Sequence, residues 1–505
     1  MMCTKHSIRF CLLQWCFLIS IGWCFLACQP DMPLDSTTAQ LTFSHDSLLF
    51  DTVFTTMGSS TKRIMVYNPN RNAVLIERVE MKCGKSFFIN LDGENELENL
   101  REITLRGGDS LFLFVRAEID PQAVNTPVLV EDTITFFVGK KAKSIYLQAY
   151  GQNVHIIESK DKFVQTKSLT LSNEKPYLIY DTLVVTGDLT ILPGAMVYMH
   201  SGAMIYAYGN VDARGTKEQP IVIRGDRTDM LFDSVPYRVA SGQWNGLYLI
   251  HPKGWPTPIY TLDYVDVLSG SIGLYVLSEN PSQCPHLSLT NARIHNHSMY
   301  GVVLQNVDAR VINTEISNCA SYCVYLAGGR HDFIHNTIVS YFGYPYTTIN
   351  IHNNIIREDV AAVYINNLSK NNAPTISSFC NCIITGARKN NVVVATPLPD
   401  YYEGQFIGNY MRADSLSEVF AKNNVYATDL DSAVFRNIHY LYKEYRYYDF
   451  QLDSLSPARG IADSIIALDF PFDLLGNPRK PHPDAGCYEY NATVSNLLDL
   501  CSDTK

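Results

Sequence analysis

Five histidines in one stretch of the chain have the residue type that suits proton transfer near neutral pH. They are His295, His297, His331, His335 and His352. Their offsets within the repeat described below differ, so only a minority of them can lie on one face. The spacing therefore favours separate structural roles over a shared catalytic site.

Two pairs of opposite charges recur at an interval of 22 residues: Arg293 with Glu315, and Arg310 with Asp332. A catalytic interpretation would make one member of a pair a base and its neighbour an acid. Opposite charges on neighbouring strands also form ordinary structural ion pairs. We favour the structural interpretation and predict no catalytic residues from these pairs.

Eight cysteines follow residue 28 and are widely scattered. The sequence CNC would place Cys380 and Cys382 on one face of a strand, as in a metal-binding pair. Zinc sites normally use CxxC spacing with a second pair of ligands, and the sequence contains none. We expect buried structural thiols, and neither a metal site nor a cofactor site.

Aromatic residues are the more suggestive candidates for binding, because exposed aromatic rings pack against sugars. Tyrosine is also common in half-buried strands, so both interpretations stay open. Trp244 and Trp255 are the only tryptophans after the N-terminal segment. The segments YFGYPY at 341–346 and PDYYEG at 399–404 add tyrosines. The candidate ligand-binding residues are Trp244, Trp255, Tyr341, Tyr344, Tyr346, Tyr401 and Tyr402.

These candidates lie in a region with a 22-residue repeat. Ile294, Ile316 and Ile338 recur at this interval. So do two further series, Asn291, Asn313, His335 and Val302, Val324, Tyr346. Leucine-rich repeats have a similar period, but they need leucine at most of the recurring positions. Isoleucine, valine and asparagine suit a parallel β-helix, in which like residues stack and asparagine occupies left-handed corners.

Several segments resemble right-handed parallel β-helix proteins of the pectin-lyase-like type. They are GQWNGLYLI at 242–250, HNTI at 335–338, NNII at 353–356 and KNNVYA at 422–427. The end of the chain, 448–490, resembles the terminal segment of that group, although Arg459 and Cys487 depart from the usual residues. The spacing loosens after Ile338, and we expect an insertion between 386 and 423.

The resemblance to this group implies a fold more firmly than a function. Pectin-degrading hydrolases of this group carry an adjacent Asp-Asp, a Gly-His-Gly and an Arg-x-Lys, and this sequence has none of them. Lyases of the group need an acidic cluster for calcium, and no such cluster stands out. We therefore expect a β-helix without evident catalysis over 160–492, followed by a C-terminal tail at 493–505.

A different pattern occupies residues 41–152. Short β-branched and aromatic runs alternate with turn signals every 8–12 residues, which is typical of an antiparallel β-sandwich. The stretch around Tyr67-Asn68-Pro69-Asn70 resembles immunoglobulin-like modules of bacterial surface lipoproteins. The fold class expected for the whole chain is thus all-β, a sandwich followed by a right-handed parallel β-helix solenoid.

The N-terminus has the features of an export signal. Lys5 and Arg9 precede an apolar run at 10–27 that ends in FLAC, and a polar tether follows at 28–40. This resembles a lipoprotein signal peptide at 1–27 with lipid attached to Cys28, despite Phe25 and Leu26 where that motif usually has other residues. An uncleaved anchor helix is the alternative. Both predict that the bulk of the protein is exported, and the lipoprotein interpretation places it, lipid-anchored, at the outer membrane or cell surface.

The net charge of the chain is −10, and this acidity argues against nucleic acid as a partner. We expect an exported, lipid-anchored surface protein whose β-helix binds carbohydrate or a surface partner without catalysis. One alternative is a polysaccharide lyase or glycoside hydrolase of the β-helix type. Another is a structural or adhesive solenoid.

Overall fold

The computed structural model describes residues 38–232, 235–342, 361–366, 371–395, 402–414, 420–427, 429, 432–438 and 448–492. The chain divides into two compact units, and the division falls between Gln152 and Asn153. Both units are built almost wholly of strands, as the β-branched and aromatic content predicts. No helix in the described part of the chain is long and apolar enough to cross a membrane.

The first unit is a sandwich of two sheets whose inner faces share one hydrophobic core. One sheet has the strand order β1-β3-β7-β5 and the other the order β2-β9-β8-β4-β6. All described pairs are antiparallel except β2 with β9. The strands are β1 (Thr42–Phe43), β2 (Ser47–Phe54), β3 (Lys62–Tyr67), β4 (Val74–Met81), β5 (Phe87–Leu91), β6 (Arg101–Leu105), β7 (Ser110–Ala117), β8 (Val128–Val138) and β9 (Lys141–Gln152).

The second unit is a right-handed parallel β-helix in which three strands make one coil. Its first coils contain β10 (His155–Ile157), β11 (Phe163–Thr166), β12 (Leu169–Leu171), β13 (Tyr177–Ile179), β14 (Thr182–Val185), β15 (Leu189–Ile191), β16 (Met196–Met199), β17 (Met204–Ala207), β18 (Val211–Arg214) and β19 (Ile221–Gly225). A hairpin follows, β20 (Met230–Phe232) with β21 (Val235–Pro236).

The β-helix then continues with connections of different lengths between its strands. Its strands are β22 (Gly246–His251), β23 (Ile259–Asp263), β24 (Val265–Leu268), β25 (Ile272–Ser278), β26 (His286–Thr290), β27 (Arg293–His295), β28 (Tyr300–Gln305), β29 (Asp308–Ile312), β30 (Glu315–Ser317), β31 (Val324–Ala327), β32 (Gly329–Ile334), β33 (Thr337–Ser340), β34 (Val363–Asn366), β35 (Thr375–Cys380), β36 (Ile383–Gly386), β37 (Val392–Ala395), β38 (Tyr402–Ile407), β39 (Tyr410–Met411), β40 (Phe420–Lys422) and β41 (Val425–Tyr426).

Each strand pairs in parallel with the equivalent strand one coil later, which produces three long faces. Face 1 is β10-β13-β16-β19-β24-β27-β30-β33-β36-β39-β41. Face 2 is β11-β14-β17-β22-β25-β28-β31-β34-β37. Face 3 is β12-β15-β18-β23-β26-β29-β32-β35-β38-β40. Because neighbouring strands lie about 4.8 Å apart, equivalent side chains on successive coils are in contact.

The corner between faces 3 and 1 confirms the prediction for asparagine. Asn291, Asn313, His335 and Asn381 have φ values of 49°, 48°, 52° and 56°. In this left-handed region asparagine costs less than most residues do. Their side chains also interact along the stack, with Asn313 Nδ2 3.4 Å from Asn291 Oδ1 and Asn381 Nδ2 3.1 Å from His335 Nε2.

Inward side chains form continuous ladders through the core. Ile294, Ile316, Ile338 and Ile384 pair in register on face 1. On face 3 the rings of Phe333, Phe379 and Phe406 stack, with centroids 4.8 Å and 5.0 Å apart. Each coil thus buries its apolar face only against its neighbours, as in other solenoids.

Three details of the repeat differ from the sequence-based expectation. Val324 pairs with Val363 rather than with Tyr346, because 22 residues connect β33 to β34, whereas six connect β30 to β31. Within 386–423, where we expected an insertion, the described strands β37, β38 and β39 continue the three faces. Cys380 and Cys382 do not share one strand face, because Asn381 between them turns the corner at φ 56°.

The C-terminal segment 448–492 packs back against face 1 of the coil. It contains β43 (Asp449–Leu452), which pairs with β42 (Phe435–Asn437), and the short helix α1 (Ser464–Ala467). Cys487 N donates to Thr337 Oγ1 at 3.1 Å, and Arg479 Nη2 donates to Asn313 Oδ1 at 2.7 Å.

Candidate functional site

Face 2 carries a row of tyrosines on its outer side. Tyr206, Tyr248 and Tyr275 pair in register on β17, β22 and β25, and Tyr325 pairs with Tyr364 on β31 and β34. Val303 on β28 occupies the equivalent position between the two groups. All five tyrosine side chains are half-buried.

The local sequence explains the outward direction of these rings. Each of the five tyrosines stands between two aliphatic residues, as in Ile205-Tyr206-Ala207 and Leu247-Tyr248-Leu249. Successive side chains in a strand point to opposite sides, so burying the aliphatic pair in the core directs the tyrosine outward. The core therefore positions the row.

The first group of rings is closely packed along the coil axis. The Tyr206 and Tyr248 rings stack with centroids 4.9 Å apart, and those of Tyr248 and Tyr275 are 5.6 Å apart. Tyr208 extends the group sideways to Trp255, whose ring centroid lies 5.9 Å away. Stacked rings offer their edges and hydroxyl groups to solvent, and each hydroxyl can both donate and accept a hydrogen bond.

The second group lies farther along the same face. Tyr322 stacks on Tyr364 at 4.6 Å, and Tyr325 stacks on Tyr364 at 5.7 Å. Tyr300 contacts both Tyr322 and Tyr325, at 6.0 Å and 6.2 Å. The Asn366 side chain donates a hydrogen bond to the Tyr325 hydroxyl. We call the two groups together, Tyr206, Tyr208, Tyr248, Trp255, Tyr275, Tyr300, Tyr322, Tyr325 and Tyr364, the aromatic face.

The strands of face 2 that carry the aromatic face contain no charged residues. The strands β17, β22, β25, β28, β31, β34 and β37 contain no Lys, Arg, Asp or Glu. The strands of face 3 in the same coils carry several, including Asp212, Arg214, Arg310 and Asp332. A charged ligand would lose hydration on face 2 without gaining a partner of opposite charge from these strands.

The phenols of the first group stay neutral over a wide pH range. Burial raises the pKa of Tyr206, Tyr248 and Tyr275 above the usual value, and neighbouring tyrosines raise it further. Their hydroxyl groups are therefore hydrogen-bond donors at any physiological pH.

The structure places the candidate aromatic residues in different environments. Trp255 is 42% exposed and belongs to the aromatic face. Trp244 is buried in the coil core, and its Nε1 donates to Leu268 O at 2.9 Å. Tyr341 is buried against Phe450 of the C-terminal segment. Trp244 and Tyr341 therefore do not present exposed rings, because Trp244 fills the coil core and Tyr341 packs with Phe435 and Phe450.

Of the remaining candidates, the structure describes only Tyr402, which is half-buried. Tyr402 packs partly against the core on face 3, its hydroxyl lies 3.2 Å from Ser377 Oγ, and burial raises its pKa to about 12. Tyr344, Tyr346, Tyr401 and the lipidation candidate Cys28 lie outside the described residues.

Of the aromatic face, only Trp255 is among the candidates predicted from the sequence. The sequence feature that could have indicated the outward tyrosines of face 2 is the recurrence of tyrosine between two aliphatic residues. A search at a fixed 22-residue interval cannot find it, because the connections between coils vary in length and shift the tyrosines irregularly.

Face 1 holds a group of polar and charged side chains, which we call the polar cluster: Asp266, Arg293, His295, Glu315 and Ser317. Asp266, Arg293 and Glu315 occupy one register position on successive coils, and His295 and Ser317 occupy another. Arg293 Nη1 lies 3.7 Å from Asp266 Oδ2. The C-terminal segment covers part of the cluster, since the Tyr488 hydroxyl donates to Glu315.

A hydrogen-bond chain within the polar cluster fixes the state of His295. Ser317 Oγ donates to Glu315 Oε1 at 2.5 Å, so it accepts from His295 Nδ1 at 2.7 Å. Nε2 of the neutral imidazole then carries the lone pair. Burial lowers the pKa of His295 to about 4, although Glu315 acts in the opposite direction. Burial likewise raises the pKa of Asp266.

The second charge pair and the other histidines singled out from the sequence do not join the polar cluster. Arg310 lies opposite Asp332 as expected, but the Asp332 carboxylate lies 3.5 Å from Arg330 and the Arg310 guanidinium lies over Phe470. His297, His331 and His335 are buried at different places, and burial lowers the pKa of each. His352 lies outside the described residues. In the described part of the chain, no group of three or more His, Cys, Asp or Glu could hold a metal ion.

A comparison with models of protein families agrees with the β-helix architecture of the second unit. The family described as right handed beta helix region matches residues 249–396. No curated protein matches the chain.

Among solved structures, a family 123 glycoside hydrolase from Clostridium perfringens aligns with a TM-score of 0.18 and 7% identity, over 24% of this chain and 30% of that chain. The periplasmic chaperone SfaE aligns with a TM-score of 0.16 and 13% identity, over 23% of this chain and 58% of that chain. Scores this low carry no argument about fold or activity.

Proposed function

We propose that the β-helix binds a neutral glycan along its aromatic face, without chemical change of the ligand. The observation that supports this most is the uncharged row of half-buried tyrosines on face 2, which occupies three successive coils and, beyond Val303, two more. Aromatic rings supply apolar contact area, and their hydroxyl groups can hydrogen-bond sugar hydroxyls. The coil spacing is comparable to the length of one pyranose unit, so successive sugars can meet successive tyrosines.

Native affinity electrophoresis in gels containing neutral or acidic polysaccharides tests this proposal. The purified chain should be retarded by one or more neutral polymers and leave the polymer intact. Tyr248→Phe removes only a hydroxyl group and should reduce the retardation, while Tyr248→Ala also removes the ring and should reduce it more. Tyr67→Ala and Tyr67→Phe, at an exposed tyrosine of the sandwich, are matched controls that should migrate like the wild type. Retardation that is equal in all variants would place binding elsewhere.

The proposal includes export and anchoring through a lipid on Cys28. The basic residues, the apolar run and the FLAC sequence support it. Cys28→Ala should release the protein from membranes and abolish incorporation of labelled fatty acid. Continued membrane anchoring of this variant would favour an uncleaved helix instead. The first unit is proposed to be an immunoglobulin-like spacer, on the grounds of its two-sheet sandwich and its Tyr67-Asn68-Pro69-Asn70 turn.

A second candidate function, a glycan-cleaving enzyme, is favoured by the polar cluster. A base, a cation and two carboxyl groups come together there on three successive coils. His295 Nε2 would accept a proton, and Asp266 would donate one because its raised pKa favours the protonated form. A cleared zone in the same gels, lost in His295→Gln but retained in Tyr67→Ala, would support this function. If the chain neither clears nor is retarded by any polymer, a structural or adhesive solenoid becomes the better proposal.

A further inference from the structure

The outer side of the β1-β3-β7-β5 sheet carries phenylalanine rings where a solvated sheet normally carries polar residues. Strand β7, with the sequence SLFLFVRA, alternates buried and exposed positions. Its exposed positions include Phe112 and Phe114, which are 40% and 37% exposed, and Phe88 on the neighbouring β5 is 44% exposed. An apolar patch of this kind marks a surface that another molecule covers.

Two arginines lie against these rings. The Arg63 guanidinium lies over the Phe112 ring, 5.4 Å from its centroid, and the Arg116 guanidinium lies over Phe88 at 5.0 Å. The rings of Phe112 and Phe114 stack with centroids 6.0 Å apart. Cross-strand pairing of Arg63 with Phe114 and of Phe88 with Arg116 keeps all five side chains on one side of the sheet. We call these five residues the arginine–phenylalanine patch.

The patch is cationic on a chain whose net charge is −10. The strands β1, β3, β5 and β7 contain no Asp or Glu. The strands of the opposite sheet contain acids as well as bases, among them Glu80 and Glu131. Just beyond β7, Glu118 lies 3.3 Å from Arg116, but both side chains are exposed and water screens this ion pair. The patch therefore suits a partner that is both apolar and anionic.

A second copy of this chain fits these requirements poorly. A two-fold contact would place the patch against itself and bring the arginines of both copies together. The surface of an anionic phospholipid membrane fits better. Phenylalanine rings can enter the boundary between headgroups and acyl chains, and guanidinium groups can bind the lipid phosphates.

The proposed lipid anchor would bring the patch within reach of such a surface. The chain enters the first unit through β1, which is the edge strand of the same sheet. Thr42 in β1 comes 14 residues after Cys28. Even a fully extended connection between these two residues spans at most about 50 Å. This step rests on the proposed anchoring, whereas the chemistry of the patch does not.

We propose that the arginine–phenylalanine patch docks the first unit onto an anionic phospholipid membrane. The three phenylalanine rings enter the interface, and the two guanidinium groups bind lipid phosphates. The lipid on Cys28 keeps the protein at the membrane, and the patch turns one sheet of the first unit towards it.

Vesicle flotation tests the docking without the anchor. The chain 29–505 lacks the signal segment and the lipid but contains every residue that the structure describes. It should float with vesicles of phosphatidylethanolamine and phosphatidylglycerol, and its affinity for vesicles of phosphatidylcholine should be lower by about tenfold. Added salt should weaken binding to the anionic vesicles, because it screens the arginines.

Two double variants separate the contributions of the rings and the charges. Phe112→Thr with Phe114→Thr should lower the affinity for anionic vesicles by about tenfold or more, because it removes the apolar area that enters the membrane. Arg63→Gln with Arg116→Gln should lower the affinity for anionic vesicles to that for phosphatidylcholine and remove the salt dependence.

A matched control lies on the outer side of the opposite sheet. Tyr146 and Tyr150 on β9 are 36% and 38% exposed, and Tyr146→Thr with Tyr150→Thr should bind vesicles like the wild type. Thermal unfolding of each variant shows whether it folds, and the arginine variant keeps the buried core intact if the phenylalanine variant does not fold.

Three outcomes would overturn the inference. One is a wild-type chain that does not float with anionic vesicles, and another is equal binding by the wild type and both patch variants. The third is a dimer that the phenylalanine variant abolishes, in a chain that binds no vesicles, which would assign the patch to a second copy. Because the tested chain carries no lipid, failure of the proposed anchoring would appear only with Cys28→Ala and not in this flotation.

Discussion

The rings of Tyr206 and Tyr248 stack with their centroids 4.9 Å apart, on strands that pair in register. This separation is nearly the distance of about 4.8 Å between neighbouring strands of a sheet. The backbone hydrogen bonds of face 2 therefore set the spacing of the rings, and the side chains need no further contacts to align. The sheet thus aligns the row in the absence of a ligand, and such preorganisation would reduce the entropy lost in the proposed binding.

Glycan binding should be independent of pH from neutrality to well into the alkaline range. The raised pKa values of Tyr248 and Tyr275 keep both phenols protonated until the pH exceeds the usual tyrosine value of about 10. Affinity electrophoresis in buffers from pH 7 to pH 9 should give the same retardation at each pH. A steep fall within this range would show that a group outside the aromatic face controls binding.

The inner phenylalanine stack should be a main source of coil stability. Phe379 lies between Phe333 and Phe406, and all three are fully buried. Phe379→Ala should lower the free energy of unfolding by about 3–5 kcal/mol, because it leaves a cavity. Phe420 is 59% exposed, and Phe420→Ala should change it by less than about 0.5 kcal/mol. Urea titration of both variants measures the difference, and equal effects would contradict the packing.

The corner residue Asn381 should tolerate glycine better than alanine. Its φ of 56° strains an alanine but not a glycine. Both variants lose the hydrogen bonds that the side chain makes with the backbone of Asp463. Asn381→Ala should therefore be less stable than Asn381→Gly by about 1–2 kcal/mol, the usual cost of the left-handed conformation. Chemical denaturation of the two variants gives this difference, and a more stable alanine variant would contradict the corner geometry.

Removal of the polar ring of His331 should stabilise the coil. His331 is fully buried, and among the described residues neither ring nitrogen has a hydrogen-bond partner. His331→Leu should raise the free energy of unfolding by about 1–3 kcal/mol, the cost of unsatisfied buried polar groups.

The gain from His331→Leu should be larger in acid. Burial lowers the pKa of His331 to about 3, so the unfolded chain takes up a proton near pH 6.5 while the folded chain does not. The wild type therefore loses stability as the pH falls from about 6.5 to 3. Thermal unfolding at pH 7 and pH 5 tests this, and an unchanged difference between the two pH values would contradict it.

Glu489 should make the fold less stable as the pH rises towards neutrality. Burial, followed by the nearby Asp484 carboxylate, raises the pKa of Glu489 from 4.5 to about 7. Below pH 4.5 both the folded and the unfolded chain are protonated at this residue. Between pH 4.5 and 7 only the unfolded chain releases the proton, so the contribution of Glu489 to the free energy of unfolding falls, and above pH 7 this contribution levels off.

Glu489→Gln should remove this fall. It also weakens the ion pair in which Arg479 Nη1 lies 3.0 Å from Glu489 Oε1. Glu403→Gln, at an exposed position of face 3, should leave the pH profile unchanged. Unfolding titrations from pH 4 to pH 8 compare the three proteins. A difference in free energy of unfolding between the wild type and Glu489→Gln that stays constant between pH 4.5 and 7 would contradict the assignment.

The fold was largely predictable from the sequence because its signals are local and repeated. The isoleucine series at Ile294, Ile316 and Ile338 indicates that coils stack in register. The asparagines at 291 and 313 indicate a corner that needs positive φ. The alternating strands of residues 41–152 likewise indicate a sheet with one buried side. Each of these features depends on a few neighbouring residues and on the regular distance between coils.

The candidate site depended instead on the lengths of the connections between coils. Tyr206 and Tyr248 meet although 41 residues separate them, and Tyr325 meets Tyr364 across a connection whose length matches no earlier one. Whether Trp244 points into the core while Trp255 faces solvent likewise follows from how each turn folds. The sequence by itself determined the repeating core, because burial of aliphatic residues imposes a local pattern. Only the tertiary structure decided which outward side chains share a face, because hydrogen-bond register, and not distance along the chain, brings them together.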